Sequence, residues 1–135
     1  MLHIIKGFDS SKQFELELAF RFRNEAFVEE AGWENLRQKQ TAMNDYLWFV
    51  LGDVNRSAQQ EVIKFITPMD QDETSCQVSM LTLKRGKEIF EELGRQGVMV
   101  DWREPNVIRI APVPLYNTFE DVWRFGNILR SILNE

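Results

Sequence analysis

Asn106-Val107-Ile108-Arg109-Ile110-Ala111-Pro112-Val113-Pro114-Leu115-Tyr116-Asn117-Thr118-Phe119-Glu120-Asp121-Val122 carries three structural signals in one short span. Val107, Ile108 and Ile110 are β-branched and fit a pleated, half-buried strand. Arg109 interrupts them. Side chains alternate along a strand, so Arg109 projects away from the core if Ile108 and Ile110 face it. Pro112 and Pro114 have no amide hydrogen to give a ladder, and strand pairing is expected to end there. Asn117 or Thr118 can then cap a helix, with Glu120 or Asp121 three residues on as the acid that reaches back. A planar guanidinium fixed at the end of a short strand, beside a rigid turn, suits a carboxylate ligand. Spacing alone equally allows a surface arginine paired with an acid, worth only ~0–1 kcal/mol when exposed.

Working outward, the rest of the chain alternates helical and strand patterns. Residues 1–8 read as a short strand and residues 9–11 as an N-cap. Residues 12–30 have an amphipathic helical pattern that includes Phe14, Leu18, Phe22, Phe27 and Val28, aromatics best read as core or interface. Gly32 is a natural break. Residues 33–54 read as a second helix, with Leu36, Met43, Leu47, Val50 and Leu51, joined by Tyr46 and Phe49, in one apolar stripe. Strands are expected at 61–67 and 77–83, joined by a polar, acidic turn, and neighbours of this kind can pair antiparallel. Val78 and Met80 share one face; Ser79, Leu81 and Leu83 share the other.

A helix running to residue 96 follows, with Ile89, Phe90 and Leu93 toward the sheet and Gly97 as its stop. Residues 98–100 read as a short strand, 102–105 as a turn and 107–111 as the last strand. Arg103, beside that turn, is read as a structural partner of Glu104 or Asp101. The closing helix, 118–133, turns Phe119, Val122, Phe125 or Gly126, Leu129, Ile132 and Leu133 inward, with Trp123 flanking. Paired strands with helices between them define an α+β fold. It is a small, mostly antiparallel sheet of about four strands with helices on one face, plus N-terminal helices.

The 135 residues suffice for one ordinary domain, 44% hydrophobic and 27% charged. Sixteen basic against 21 acidic residues give a formal net charge of −5, without the basic stripe that nucleic acid would require. The single cysteine, Cys76, excludes an intrachain disulfide framework and reads as a buried strand residue. The single histidine, His3, argues against a Ser/His/Asp triad and a His-rich metal site. No stretch approaches the ~20 apolar residues of a membrane span, and cytosol is the expected compartment.

The run from Asp101-Trp102-Arg103-Glu104-Pro105-Asn106 through Arg109-Ile110-Ala111-Pro112-Val113-Pro114-Leu115-Tyr116-Asn117 resembles the C-terminal segment of kynureninases. The likeness extends through Gly97-Val98-Met99-Val100, Ser75-Cys76-Gln77-Val78-Ser79 and Ile66-Thr67-Pro68 to Glu29-Glu30-Ala31-Gly32-Trp33-Glu34-Asn35-Leu36-Arg37. It implies the small C-terminal domain of a fold-type-I, pyridoxal-phosphate-dependent enzyme over residues 33–135. The N-terminal helical part, 1–32, is of uncertain origin. Phe20-Arg21-Phe22-Arg23-Asn24-Glu25-Ala26-Phe27 through Gly32-Trp33 is also weakly similar to the opening of acyl-homoserine-lactone synthases, but the acidic run expected after the Trp is missing.

The resemblance gives Arg109 the role of gripping the substrate α-carboxylate, with Tyr116 and Asn117 lining the same mouth. It implies cleavage of L-kynurenine to anthranilate and L-alanine in tryptophan catabolism, by a homodimer. The family's aldimine lysine lies in the large domain, and none of Lys6, Lys12, Lys39, Lys64, Lys84 and Lys87 occupies a segment like it. The chain alone is therefore expected to hold no cofactor or catalytic group and to be inactive, associating with a large domain or with itself. The adjacent acids Glu29/Glu30, Glu91/Glu92 and Glu120/Asp121 point in different directions on a helix and form no catalytic dyad. A competing reading is a stand-alone amino-acid-binding or structural module. A more distant one is an acyltransferase of the autoinducer-synthase type.

Overall fold

The structure is a computed structural model and describes residues 29–58, 60–67 and 77–135. The expected strand at 1–8, most of the helix at 12–30, the acidic turn, Cys76, His3, Lys6 and Lys12 lie outside those residues.

Helix α1 (Trp33–Ser57) begins after Gly32, whose φ of 81° only glycine adopts without strain. Strands β1 (Ile63–Phe65) and β2 (Val78–Thr82) pair antiparallel, with Phe65 opposite Met80. Helix α2 (Gly86–Arg95) stops at Gly97, also at positive φ, where the Val98 amide returns to the Leu93 carbonyl. Strands β3 (Asp101–Arg103) and β4 (Val107–Ile110) form a hairpin, and helix α3 (Phe119–Asn134) closes the chain. The sheet order is β1-β2-β4-β3, antiparallel throughout.

Alternation decides what each face does. Val78, Met80, Thr82, Ile108 and Ile110 are buried, while Ser79, Leu81, Val107 and Arg109 point the other way and are half-buried. The buried set joins Met43, Leu47, Val50, Leu51 and Val54 of α1, Ile89 and Leu93 of α2, and Val122, Phe125, Leu129 and Ile132 of α3 in one core. The three described helices thus pack on one face of the sheet, as the α+β pattern leads one to expect. The helices approach closely where Gly126 of α3 meets Val50 of α1. Asn55 ties the end of α1 to β1: its Oδ1 accepts from the Val62 and Ile63 amides at 3.1 Å each, and its Nδ2 donates to the Ile63 carbonyl at 2.9 Å.

Three expectations need correction. The strand before the last hairpin is Asp101–Arg103, not 98–100. Val98 and Val100 are buried in the lead-in, so their apolar character reflects burial without pairing. The turn is correspondingly 104–106, so Trp102 and Arg103 belong to the strand. Finally, Phe49 and Phe119 are exposed, not part of the inward stripes. Both rings instead meet Tyr46 on the outer side of the helix pair, at centroid distances of 6.3 and 6.0 Å.

Candidate functional site

Arg109 lies on an inner strand, on the face turned away from the helices. Register sets its neighbours: Ser79 of β2 is directly opposite on one side and Asp101 of β3 on the other. Because the hairpin turn occupies three residues, Arg103 pairs with Val107, and Asp101 therefore pairs with Arg109. Cross-strand partners on one face are close enough for side chains to interact. Arg109 donates from Nε to Asp101 Oδ2 at 2.5 Å, and its Nη2 bonds the same oxygen. Arg103 Nε donates to that oxygen as well, at 2.9 Å. Asp101 thus serves two guanidiniums, and Glu104 is left to accept from the Trp102 indole at 2.8 Å.

This ion pair is not closed off. The Arg109 side chain keeps 30% of its exposure, against 17% for Asp101. Its Nη1 donates to no described residue, so among the described residues only one edge of the guanidinium is engaged.

The strand ends where the prolines begin. Past Ala111 the chain turns through residues 112–117, with Pro112 buried. Asn117, 2% exposed, closes the turn: its Oδ1 accepts from the Val113 amide at 2.8 Å, and its own amide donates to the Val113 carbonyl at 2.7 Å. Lys39 of α1 reaches the Pro114 carbonyl at 2.6 Å and pins the turn to the helix layer. Thr118 then caps α3. Its hydroxyl accepts from the Asp121 amide, and the Asp121 carboxylate accepts from the Thr118 amide at 2.9 Å, a complete capping box. Of the alternatives in the sequence, Thr118 and Asp121 form the cap, and Asn117 shapes the turn before it. Tyr116, at 51% exposure, stands on the outer side of that turn.

Reading residues one at a time left Asp101 as a partner for Arg103 alone. The available signal was the hairpin register, which follows from the turn length. The role of Lys39 had no local signal, since it bonds a carbonyl 75 positions away.

The described lysines differ in their surroundings. Lys39 is committed to a main-chain carbonyl, Lys64 pairs with Glu61 at 3.6 Å, and Lys87 lies over the Phe90 and Trp102 rings. Lys84 stands exposed. Among the described residues no cluster of His, Cys, Asp and Glu could hold a metal ion, and no helix is long and apolar enough to cross a membrane.

A four-stranded antiparallel sheet with the described helices on one face gives this chain an aminotransferase-like fold. Two solved structures share it: a NifS-like protein (TM-score 0.62, 22% identity, 79% of this chain and 30% of that one) and a transaminase from a marine Virgibacillus (TM-score 0.61, 17% identity, 84% and 27%). Within that class the chain belongs to the kynureninase C-terminal domain family, whose model matches residues 36–129. It is 38% identical to the kynureninase of Flavobacterium psychrophilum over 96% of this chain and 30% of that protein. It is 44% identical to the kynureninase of Christiangramia forsetii (76% and 24%) and 38% identical to that of Homo sapiens (78% and 23%). The chain therefore spans less than a third of the length of these relatives. The Flavobacterium alignment also takes in most of residues 1–32.

Proposed function

We propose that this chain is the carboxylate-gripping small domain of a kynureninase-type hydrolase, an enzyme that converts L-kynurenine to anthranilate and L-alanine. In this reading Arg109 binds the substrate α-carboxylate through the edge of its guanidinium not bonded to Asp101. A bidentate charge-assisted pair of this kind is roughly twice as strong as a neutral hydrogen bond and fixes orientation as well. Asn117 contributes by shaping the turn beside the strand, and Tyr116 by lining the mouth. The observation that carries the reading is the placement of Arg109: an inner strand, the face turned away from the three described helices, and two donors of its fork that meet no described residue.

Pyridoxal phosphate would act as the electron sink for bond cleavage in such an enzyme. We assign its lysine and phosphate site to the part of the relatives that this chain does not span, because Lys39, Lys64 and Lys87 have partners of their own and Lys84 stands exposed. The contribution of these residues is binding and orientation, not proton transfer. Residues 1–32 are most simply one continuous kynureninase-like stretch with the rest, which the reach of the Flavobacterium alignment favours over a joined extension. Association with a large domain, assembly as a homodimer and a cytosolic location belong to the same proposal.

The test is a chimera in which residues 33–135 replace the corresponding domain of the Flavobacterium psychrophilum kynureninase. It is expected to release anthranilate from L-kynurenine, and Arg109→Ala is expected to raise KM by tenfold or more. A chimera that turns over equally well with Arg109→Ala rejects the assignment. A separate check mixes the chain alone with pyridoxal phosphate. An aldimine absorbance band that is fixed to one lysine by borohydride would reject the division of labour.

A further inference from the structure

We propose that Asp101 is the positioning residue of the carboxylate clamp: it holds one edge of the Arg109 guanidinium so that the opposite edge meets the ligand. The inference deepens the carboxylate-binding reading of Arg109 and rests on it. Three observations carry it. Asp101 is the direct cross-strand partner of Arg109, so the contact is set by hairpin register and not by a chance rotamer. Both bonds from Arg109 fall on the same oxygen and use Nε and Nη2, which leaves Nη1 and the second Nη2 hydrogen as a parallel pair of donors. An incoming carboxylate can take that end-on pair without displacing Asp101.

The third observation concerns charge. A lone aspartate beside a carboxylate-binding arginine would cancel the attraction it is meant to support. Here Arg103 donates to the same Asp101 oxygen at 2.9 Å, so two guanidiniums share one carboxylate and the group keeps one positive charge. Arg103 is 59% exposed at its side chain and lies two residues along β3 from Asp101, opposite Val107 and not Arg109. It is placed to offset the aspartate, with Arg109 left to bind. A free arginine on a strand samples many rotamers, and fixing it beforehand lowers the entropy lost when the ligand arrives.

The opposite role is also physically possible. Asp101 could act as a competitor that the ligand must expel, and the two roles differ in the sign of one measurement. The experiment uses the full chain labelled with 15N-arginine, with Arg109 signals assigned by their loss in Arg109→Lys, and L-kynurenine as the probe. In the native chain, kynurenine is expected to shift the Arg109 Nη signals while Nε–Hε stays in its protected, hydrogen-bonded position. Asp101→Asn is expected to abolish that protection and weaken kynurenine binding about tenfold, the equivalent of one lost charge-assisted restraint.

Release of Nε–Hε on adding kynurenine to the native chain would overturn the proposal, a result that does not depend on any variant folding. Unchanged or tighter binding in Asp101→Asn would overturn it too. In both cases the Arg109 assignment survives. If kynurenine leaves every Arg109 signal unmoved, the chain by itself holds no preset clamp and this inference falls, while the carboxylate reading stands or falls on the chimera.

Discussion

Replacing Gly126 with alanine tests how tightly the helix layer beneath the sheet is held. A Cβ at that position would lie 2.3 Å from Cγ1 of Val50, well inside the roughly 3.5–4.0 Å of a normal carbon contact. About 1.2 Å must be made up, either by Val50 or by the spacing of α1 and α3. Val50 yields poorly: it is 3% exposed, and a β-branched side chain in a helix has one strongly preferred rotamer. Overpacking of this kind costs about 1–3 kcal/mol. Against it stands the gain of about 1 kcal/mol when alanine replaces glycine inside a helix. The net expectation for Gly126→Ala is destabilisation by about 1 kcal/mol, or a fall in Tm of roughly 4 °C at this chain length.

A double-mutant cycle isolates the cause. Val50→Ala removes the obstructing methyl and should cost about 1.5 kcal/mol by itself, at ~0.8 kcal/mol per buried carbon. In that background Gly126→Ala should become stabilising by up to about 1 kcal/mol, leaving a favourable coupling of about 1–3 kcal/mol. Urea unfolding of the four proteins followed by circular dichroism supplies the numbers. Gly126→Ala that stabilises the native background as much as it stabilises Val50→Ala would refute the close-approach argument.

Other expectations follow from single contacts. Thr118→Ala removes the hydroxyl half of the α3 cap and should cost about 1 kcal/mol in urea unfolding, while Thr118→Ser should cost far less. Asn55→Ala strands two main-chain amides and a carbonyl between α1 and β1, and a loss of about 1–3 kcal/mol is expected; a value near zero would mean water replaces the side chain freely. Arg85, at a positive φ of 56°, hydrogen-bonds Glu88, which holds the Glu88 carboxyl below its ordinary value and raises that of Arg85. The small stabilisation this gives is present above the ordinary glutamate range and is lost as pH falls through the lowered value. A carboxyl-carbon NMR titration should therefore find the Glu88 midpoint lower in the native chain than in Arg85→Ala, and equal midpoints would contradict the pairing.

What could be read from the chain, and what could not, follows from the range of each force. The period-2 burial of Val78, Met80, Ile108 and Ile110 was legible because alternation is local, and the same logic put Arg109 on the opposite face. The cap of α3 was legible to within one residue, since a capping box spans only four positions. Apolar content misled at Val98 and Val100, which are buried without being paired, and at Phe49 and Phe119, which are apolar without being buried. In both cases tertiary packing decided between states that composition alone leaves equal.

The site shows the same division more sharply. Arg109 and the proline-bounded turn stood out by type and spacing, but the partner that fixes the guanidinium did not. Asp101 is eight positions away and sits in a segment that reads as an ordinary acidic approach to a turn. Its meaning comes from register: once 104–106 forms the turn, Arg103 must face Val107 and Asp101 must face Arg109. A one-residue change in turn length would turn Asp101 to the helix side and put Trp102, now packed against Phe90, on the opposite face. The turn length of this hairpin therefore selects both the core contact of Trp102 and the ion pair of Arg109. A single inserted glycine at 105–106 should disturb the two together, seen as loss of the protected Arg109 Nε–Hε signal along with a changed Trp102 indole environment. Loss of one without the other would show that the pair is held by something other than register.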